Sequence, residues 1–140
     1  MFETSKPFLS LDEVMNLIYA IGGRIGLLKE KLACWASPST EGPYISCDYS
    51  YCWVVMERGA ERERRRTNDL DELLYWVFEA TTQGLALNYE LHHRNPAEDF
   101  RRGMFRHQLD LLGQLDLAWR CRCEREIERI LENHPFHDRG

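Results

Sequence analysis

Residues Asn68–Arg94, NDLDELLYWVFEATTQGLALNYELHHR, constrain the fold more than any other stretch. Asp69 can satisfy orphan N–H groups at a helix start, and Glu72 three residues on can reach back to it. Leu70, Leu73, Leu74, Tyr75, Trp76, Val77 and Phe78 follow in close order. Leu70, Leu74, Val77 and Leu85 make one helical stripe, while Trp76, Phe78, Leu87 and Tyr89 cover other faces. A helix that is apolar most of the way round is buried on several sides. This spacing predicts a central helix over 69–94. Thr81-Thr82-Gln83-Gly84 is its weak point, because β-branched residues and glycine lower helix propensity. Whether the helix breaks near Gly84 is open at this level.

Before this helix the period changes. Ser10 and Glu13 form a capping box, with Leu9 and Val14 placed for a hydrophobic staple. Val14, Leu17, Ile18, Ile21, Ile25, Leu28, Leu32 and Trp35 repeat at helical spacing, predicting one helix to about Cys34. Gly22, Gly23 and Gly26 inside it favour close approach by another helix over a ligand cradle, because GGRIG follows no strand. Ser37–Pro43 reads as a loop. From Tyr44, YISCD and YCWVVMER are rich in β-branched and aromatic residues and read as strands. Both faces of Tyr51–Met56 are apolar, which makes it the middle strand. A turn at Arg58–Glu61 then returns ERERRRT antiparallel, against the helical propensity of Glu and Arg. Two further helices are expected. One starts at Asn95-Pro96, with Phe100, Met104, His107, Leu111 and Leu115 inward and a stop at Gly113. The other starts at Asp116, with Trp119, Cys123, Ile127, Ile130 and Leu131 inward, and ends before Pro135. The expected fold is α+β: about four helices and a small three-stranded antiparallel sheet packed on the central helix. The chain is expected to form a single domain over 1–140, with 1–9 a short lead and 44–67 a β-meander.

The bulk properties narrow the function. The 140 residues suffice for a core, and 44% hydrophobic with 29% charged residues is an ordinary globular balance. A formal charge of −5 argues against non-specific nucleic-acid binding and suits a basic partner. The start does not read as a signal peptide, and the longest apolar run, LLYWVF, is far short of the roughly 20 residues of a bilayer span. A cytoplasmic protein with no membrane partner is expected. The five cysteines are odd in number and read as reduced. Cys121 and Cys123 could be drawn with His134 and His137 as a zinc site. On a helix, however, Cys-x-Cys points its thiols about 200° apart. No metal and no cofactor are expected.

Three clusters invite a functional reading. Glu90 and His93 could form an acid–base pair on one helix face. No nucleophile or oxyanion motif accompanies them, and interaction with the helix C-terminus accounts for the histidines. Arg62, Arg64, Arg65 and Arg66 could follow a phosphate backbone, but Glu57, Glu61 and Glu63 are interleaved with them. A charged edge strand is the better reading. Asp69, Asp71 and Glu72 suit the positive end of the helix dipole.

Several blocks also carry a resemblance: ERRRT, DLDELLYWVFEATT, YELHHR, DFRRGMF, the tryptophan at 119, and HPFHD. From about Pro43 to Asp138 the chain resembles the immunity protein family numbered sixty-three, small bacterial proteins of polymorphic toxin systems. The resemblance implies an α+β fold and a non-enzymatic protein that binds a cognate toxin domain and so protects the producing cell. It brings no catalytic motif and fixes neither the toxin nor its contact residues. The surface candidates for a basic toxin are Glu57, Glu61, Glu63, Asp69, Asp71 and Glu72. The alternatives are a nucleic-acid-binding regulator using the Arg62–Arg66 strand and a small hydrolase using Glu90 and His93.

Trp76 tests the central-helix reading. Trp76→Ala should cost about 3–5 kcal/mol if the ring is core, read as a fall in melting temperature. An unchanged melt would mark Trp76 as a surface residue.

Overall fold

The first helix ends where its glycines begin. In a computed structural model that describes residues 8–139, α1 spans Leu11–Gly23, and the chain then turns instead of continuing to Cys34. Gly26 lies at φ +80°, outside the helical region, and the Leu27 N–H returns to the Gly22 carbonyl. A short α2, Lys29–Leu32, and a 3-10 turn, Ala33–Ala36, follow. The expected single helix is therefore two, and the described residues hold five α-helices where four were expected. Close approach is the reason at Gly22. A Cβ there would sit 2.5 Å from Leu32 Cδ1, so glycine lets α2 fold back against α1. The start of α1 is as expected: Ser10 Oγ accepts from the Glu13 N–H, and Glu13 Oε1 accepts from the Ser10 N–H. Residues 1–7 of the expected lead lie outside the described residues.

The sheet has strands β1 (Gly42–Cys47), β2 (Tyr51–Glu57) and β3 (Ala60–Thr67), antiparallel in the order β1-β2-β3. Gly42 and Pro43, expected in the loop, begin β1. The middle strand is β2, as its two apolar faces require, and Tyr51, Cys52, Trp53 and Val54 are all buried. Arg58 and Gly59, both at positive φ (53° and 78°), form the two-residue turn. The register slips by one between Val55 and Met56, leaving Arg62 as the extra residue of a bulge.

The chain divides into two compact units, 1–76 and 77–140. The third helix, α3 (Leu70–His92), begins in the first and continues without interruption into the second. Within the first unit, Leu73, Leu74, Tyr75 and Trp76 are buried. Trp35 and Trp53 pack with centroids 5.2 Å apart. The Arg65 guanidinium lies 5.0 Å from the Trp53 ring centre and 5.2 Å from that of Trp76. A cation over an indole face contributes about 0.5–2 kcal/mol, depending on desolvation.

The second unit holds the rest of α3 with α4 (Phe100–Leu115) and α5 (Leu117–Asn133). α3 is continuous through its suspected weak point, where the threonine hydroxyls bond back to their own helix. Thr81 Oγ1 donates to the Val77 carbonyl and Thr82 Oγ1 to the Phe78 carbonyl, both at 2.7 Å. From α4, buried Gln108 donates to the Glu79 carbonyl at 3.0 Å and to Thr82 Oγ1 at 3.3 Å. Beyond this point α3 is less enclosed than its composition suggested: Leu87, Tyr89 and Leu91 are exposed.

Three expectations for α4 are corrected. Its cap is Asp99, not Asn95, whose side chain instead accepts from the Ala97 N–H in a local turn. Its buried face is Met104, Phe105, Gln108, Leu112 and Leu115, rotated from the expected stripe, with Phe100 exposed. Gly113 does not stop α4; a Cβ there would lie 3.2 Å from the Arg120 side chain, so it serves the approach of α5. Asp116 caps α5 through the Ala118 and Trp119 N–H groups, and Trp119, Cys123 and Ile127 are buried as expected. Ile130, expected inward, is exposed.

The two adjacent glycines of α1 should respond oppositely. Gly22→Ala forces a methyl into Leu32 and should cost about 1–3 kcal/mol. Gly23→Ala meets open space and should be neutral or stabilising by up to about 1 kcal/mol. Denaturant melts of the two variants check the difference.

Candidate interaction surface

The hairpin carboxylates are not free. Glu57 pairs with Arg62 across the turn. Glu61 takes Arg64 in a two-pronged bond at 2.8 and 3.1 Å, and Glu63 Oε2 accepts from Arg65 Nε at 2.7 Å. Arg64 holds the Glu61 carboxyl below its ordinary range. These are exposed pairs and contribute little to stability; their effect is on the field of the surface. From Glu57 to Arg66 the chain carries three glutamates and five arginines, a local surplus of positive charge in an acidic protein. Neither Arg58 nor Arg66 has a carboxylate partner for its guanidinium among the described residues. Arg66 Nη1 lies 4.0 Å from Cys52 Sγ.

At the start of α3 the expected cap at Asp69 is present. Asp69 Oδ1 accepts from the Asp71 N–H at 3.0 Å, and the Asp69 N–H donates to Thr67 Oγ1 at 3.0 Å. Asp71 and Glu72 stand in the first turn, where the helix dipole favours them. Hairpin and helix start are joined by Thr67-Asn68-Asp69, so all six candidate carboxylates belong to one unit.

The second unit contains a cleft of about 370 Å³ between the end of α3 and one face of α4. Glu90 and His93 line it, but they do not form an acid–base pair. The Glu90 carboxylate is buried and bonded twice to Arg94, at 2.8 and 3.1 Å, which holds it below its ordinary range. His93 turns back on its own helix, its Nδ1 2.9 Å from the Tyr89 carbonyl, and His92 does the same with Asn88 at 2.8 Å. The helix-terminus account of the histidines therefore holds. Tyr89 stacks on His93 at 4.0 Å and on His107 of α4 at 3.9 Å. Sequence periodicity had given His107 only an inward place.

Asp99 is the polar centre that periodicity missed. Its carboxylate caps the Arg101 N–H, bonds the Arg101 guanidinium and accepts the His137 N–H at 2.9 Å. These bonds, Arg101 foremost, hold it far below the usual carboxylate range. Arg101 also donates to the His134 and Pro135 carbonyls, and Asp138 accepts from the Asp99 N–H and from Arg102. The Phe136 ring lies 4.0 Å from the Arg102 guanidinium. The segment after α5 is thus tied to the start of α4. The only local signal was an aspartate just before Phe100, the first residue of the expected inner stripe.

Cys121 is exposed and Cys123 buried, and no group of three or more potential metal ligands occurs among the described residues. No helix there is long and apolar enough to cross a membrane.

A three-stranded sheet with a charged outer strand, followed by three long helices, defines a small α+β protein in which Glu90 and His93 are not bonded to each other. The chain belongs to the family Immunity protein 63, which matches residues 47–129, more than half of its length. The match runs from the last residue of β1 into α5, so the HPFHD segment lies beyond it. No curated protein and no solved structure matches the chain. Membership suggests a non-enzymatic role with a toxin as protein partner.

The tail should release in acid. Asp99 and Asp138 are both held below the ordinary aspartate value near 3.9. Their contribution is therefore present above that value and is lost as pH falls from about 4 toward their folded values. Protection factors for the His137 and Arg139 amides should fall across that window. Asp99→Asn should lower them at neutral pH as well.

Proposed function

We propose that this chain is an immunity protein that binds a cognate bacterial toxin and neutralises it in the cytoplasm of the cell that makes both. The observation that carries the reading is family membership across 47–129. The whole chain acts as one functional domain, in which the sheet packs on α3 and the fold presents its charged surface to the toxin. No cofactor takes part.

The proposed contact surface is the hairpin and helix start, Glu57, Glu61, Glu63, Asp69, Asp71 and Glu72. The ion pairs refine its chemistry. The hairpin glutamates are matched by arginines, and Asp71 and Glu72 add two carboxylates in the first turn of α3. Charge complementarity of this kind mainly raises the association rate and weakens with salt.

The nucleic-acid reading draws on the positive surplus of the hairpin, but Arg62, Arg64 and Arg65 are each held by a glutamate. The hydrolase reading has less support, since Arg94 occupies Glu90.

Co-expression with the product of the neighbouring gene tests the proposal: the parent chain should co-purify with it and keep cells alive. Asp71→Lys with Glu72→Lys should weaken toxin binding and its salt dependence. The fold cost should be modest, about 0.3–1 kcal/mol per charge lost from the helix start. Equal protection and equal affinity at two salt concentrations would remove this helix start from the interface.

A further inference from the structure

Among the described residues no strand pairs with the outer edge of β3. β3 is the last strand of the sheet, and among the described residues its backbone bonds to no element but β2. Ala60–Arg64 and Arg66 are exposed. The other outer strand, β1, lies against the 3-10 turn. An open edge is a template for another strand unless something deters it. Here the bulge at Arg62 and the charged side chains restrict pairing but do not abolish it. Beyond the bulge, Glu63–Thr67 keeps a regular register with Tyr51–Val55, enough for a short strand pair.

The side chains of that stretch state what it can accept. Strand alternation puts Glu63, Arg65 and Thr67 on one face of the sheet, and Arg64 and Arg66 on the other. Arg65 is engaged with Glu63 and lies over Trp53 and Trp76. On the other face Arg64 is shared with Glu61, and Arg66 has no carboxylate. An added strand would set its own side chains directly opposite these two arginines, where opposite charges stabilise the pairing and like charges oppose it.

A second copy of this chain fits poorly. Two-fold antiparallel pairing in one sheet brings residues of the same face opposite each other. In the regular stretch, Arg64 and Arg66 would then face only themselves or each other.

We propose that the outer edge of β3 is a strand-docking edge for an extended acidic segment of a protein partner, with carboxylates at alternate positions opposite Arg64 and Arg66. Main-chain bonds to Glu63–Thr67 supply affinity, and the alternating carboxylates supply specificity. The identity of the partner as the toxin rests on the immunity reading; the docking chemistry does not.

The first test uses the isotope-labelled full chain and a short synthetic peptide alternating Glu and Thr. The peptide should shift the amide signals of Glu63–Thr67 and slow their exchange, while a Lys-Thr peptide should not. Arg66→Glu should weaken peptide binding about tenfold or more with an unchanged thermal melt. If that variant melts early, Arg66→Gln and the salt dependence of the parent carry the same comparison. Three results would overturn the proposal: shifts centred elsewhere, equal binding of the Lys-Thr peptide, or stronger shifts at Glu63–Thr67 with an oligonucleotide. Slowed exchange in concentrated protein without peptide would also overturn it, in favour of self-pairing. Toxin challenge separates the two readings. A parent chain that does not protect sinks the immunity reading and leaves the peptide result to judge the edge. A protecting parent whose Arg66→Glu variant protects equally sinks the edge as the docking site of the toxin.

Discussion

Arg65 holds the first unit in register. Its guanidinium sits about 5 Å from two buried indoles, Trp53 of β2 and Trp76 of α3, and its Nε bonds Glu63. A guanidinium is planar and weakly hydrated, so it can lie on an aromatic face at lower desolvation cost than an ammonium. This explains why ERERRRT is a strand although its residues favour helix. As a strand, β3 places Arg65 beside Trp53, its register partner, and leaves the other charges in water. Trp35 continues the packing from the 3-10 turn, which requires the chain to turn after α1.

The second unit is organised by polar groups instead. Thr82 and Gln108 bond to each other inside the helix packing, at the turn of α3 with the lowest helical propensity. A buried polar group without a partner is costly, so the two must be placed together. At the other end of this unit Asp99 fixes both the start of α4 and the segment after α5.

The hairpin surface shows how local pairing changes the meaning of composition. The chain is acidic as a whole, yet the hairpin is locally positive once its glutamates are counted against its arginines. A partner is recognised by the field at the contact and not by the net charge of the molecule. The same hairpin that guards its edge with charge thereby acquires a preference for what may approach it.

The sequence by itself determined those features that act within about one helical turn or one strand pair. These are the capping box at Ser10 and Glu13, the caps at Asp69 and Asp116, the change of period at the sheet, the apolar middle strand and the family-bearing central block. Their partners lie close along the chain, so spacing reveals them. Tertiary structure decided the rest. It broke the first helix, because Leu32 needed the space over Gly22. It rotated the inner face of α4 toward Gln108, because buried Thr82 lies on another helix. It moved the cap from Asn95 to Asp99, whose carboxylate also serves residues 101 and 137. It gave Glu90 to Arg94 and stacked Tyr89 between His93 and His107. In each case competing local options differ by only about a kilocalorie per mole. Packing and the satisfaction of buried polar groups are worth more than that, so they choose among the options.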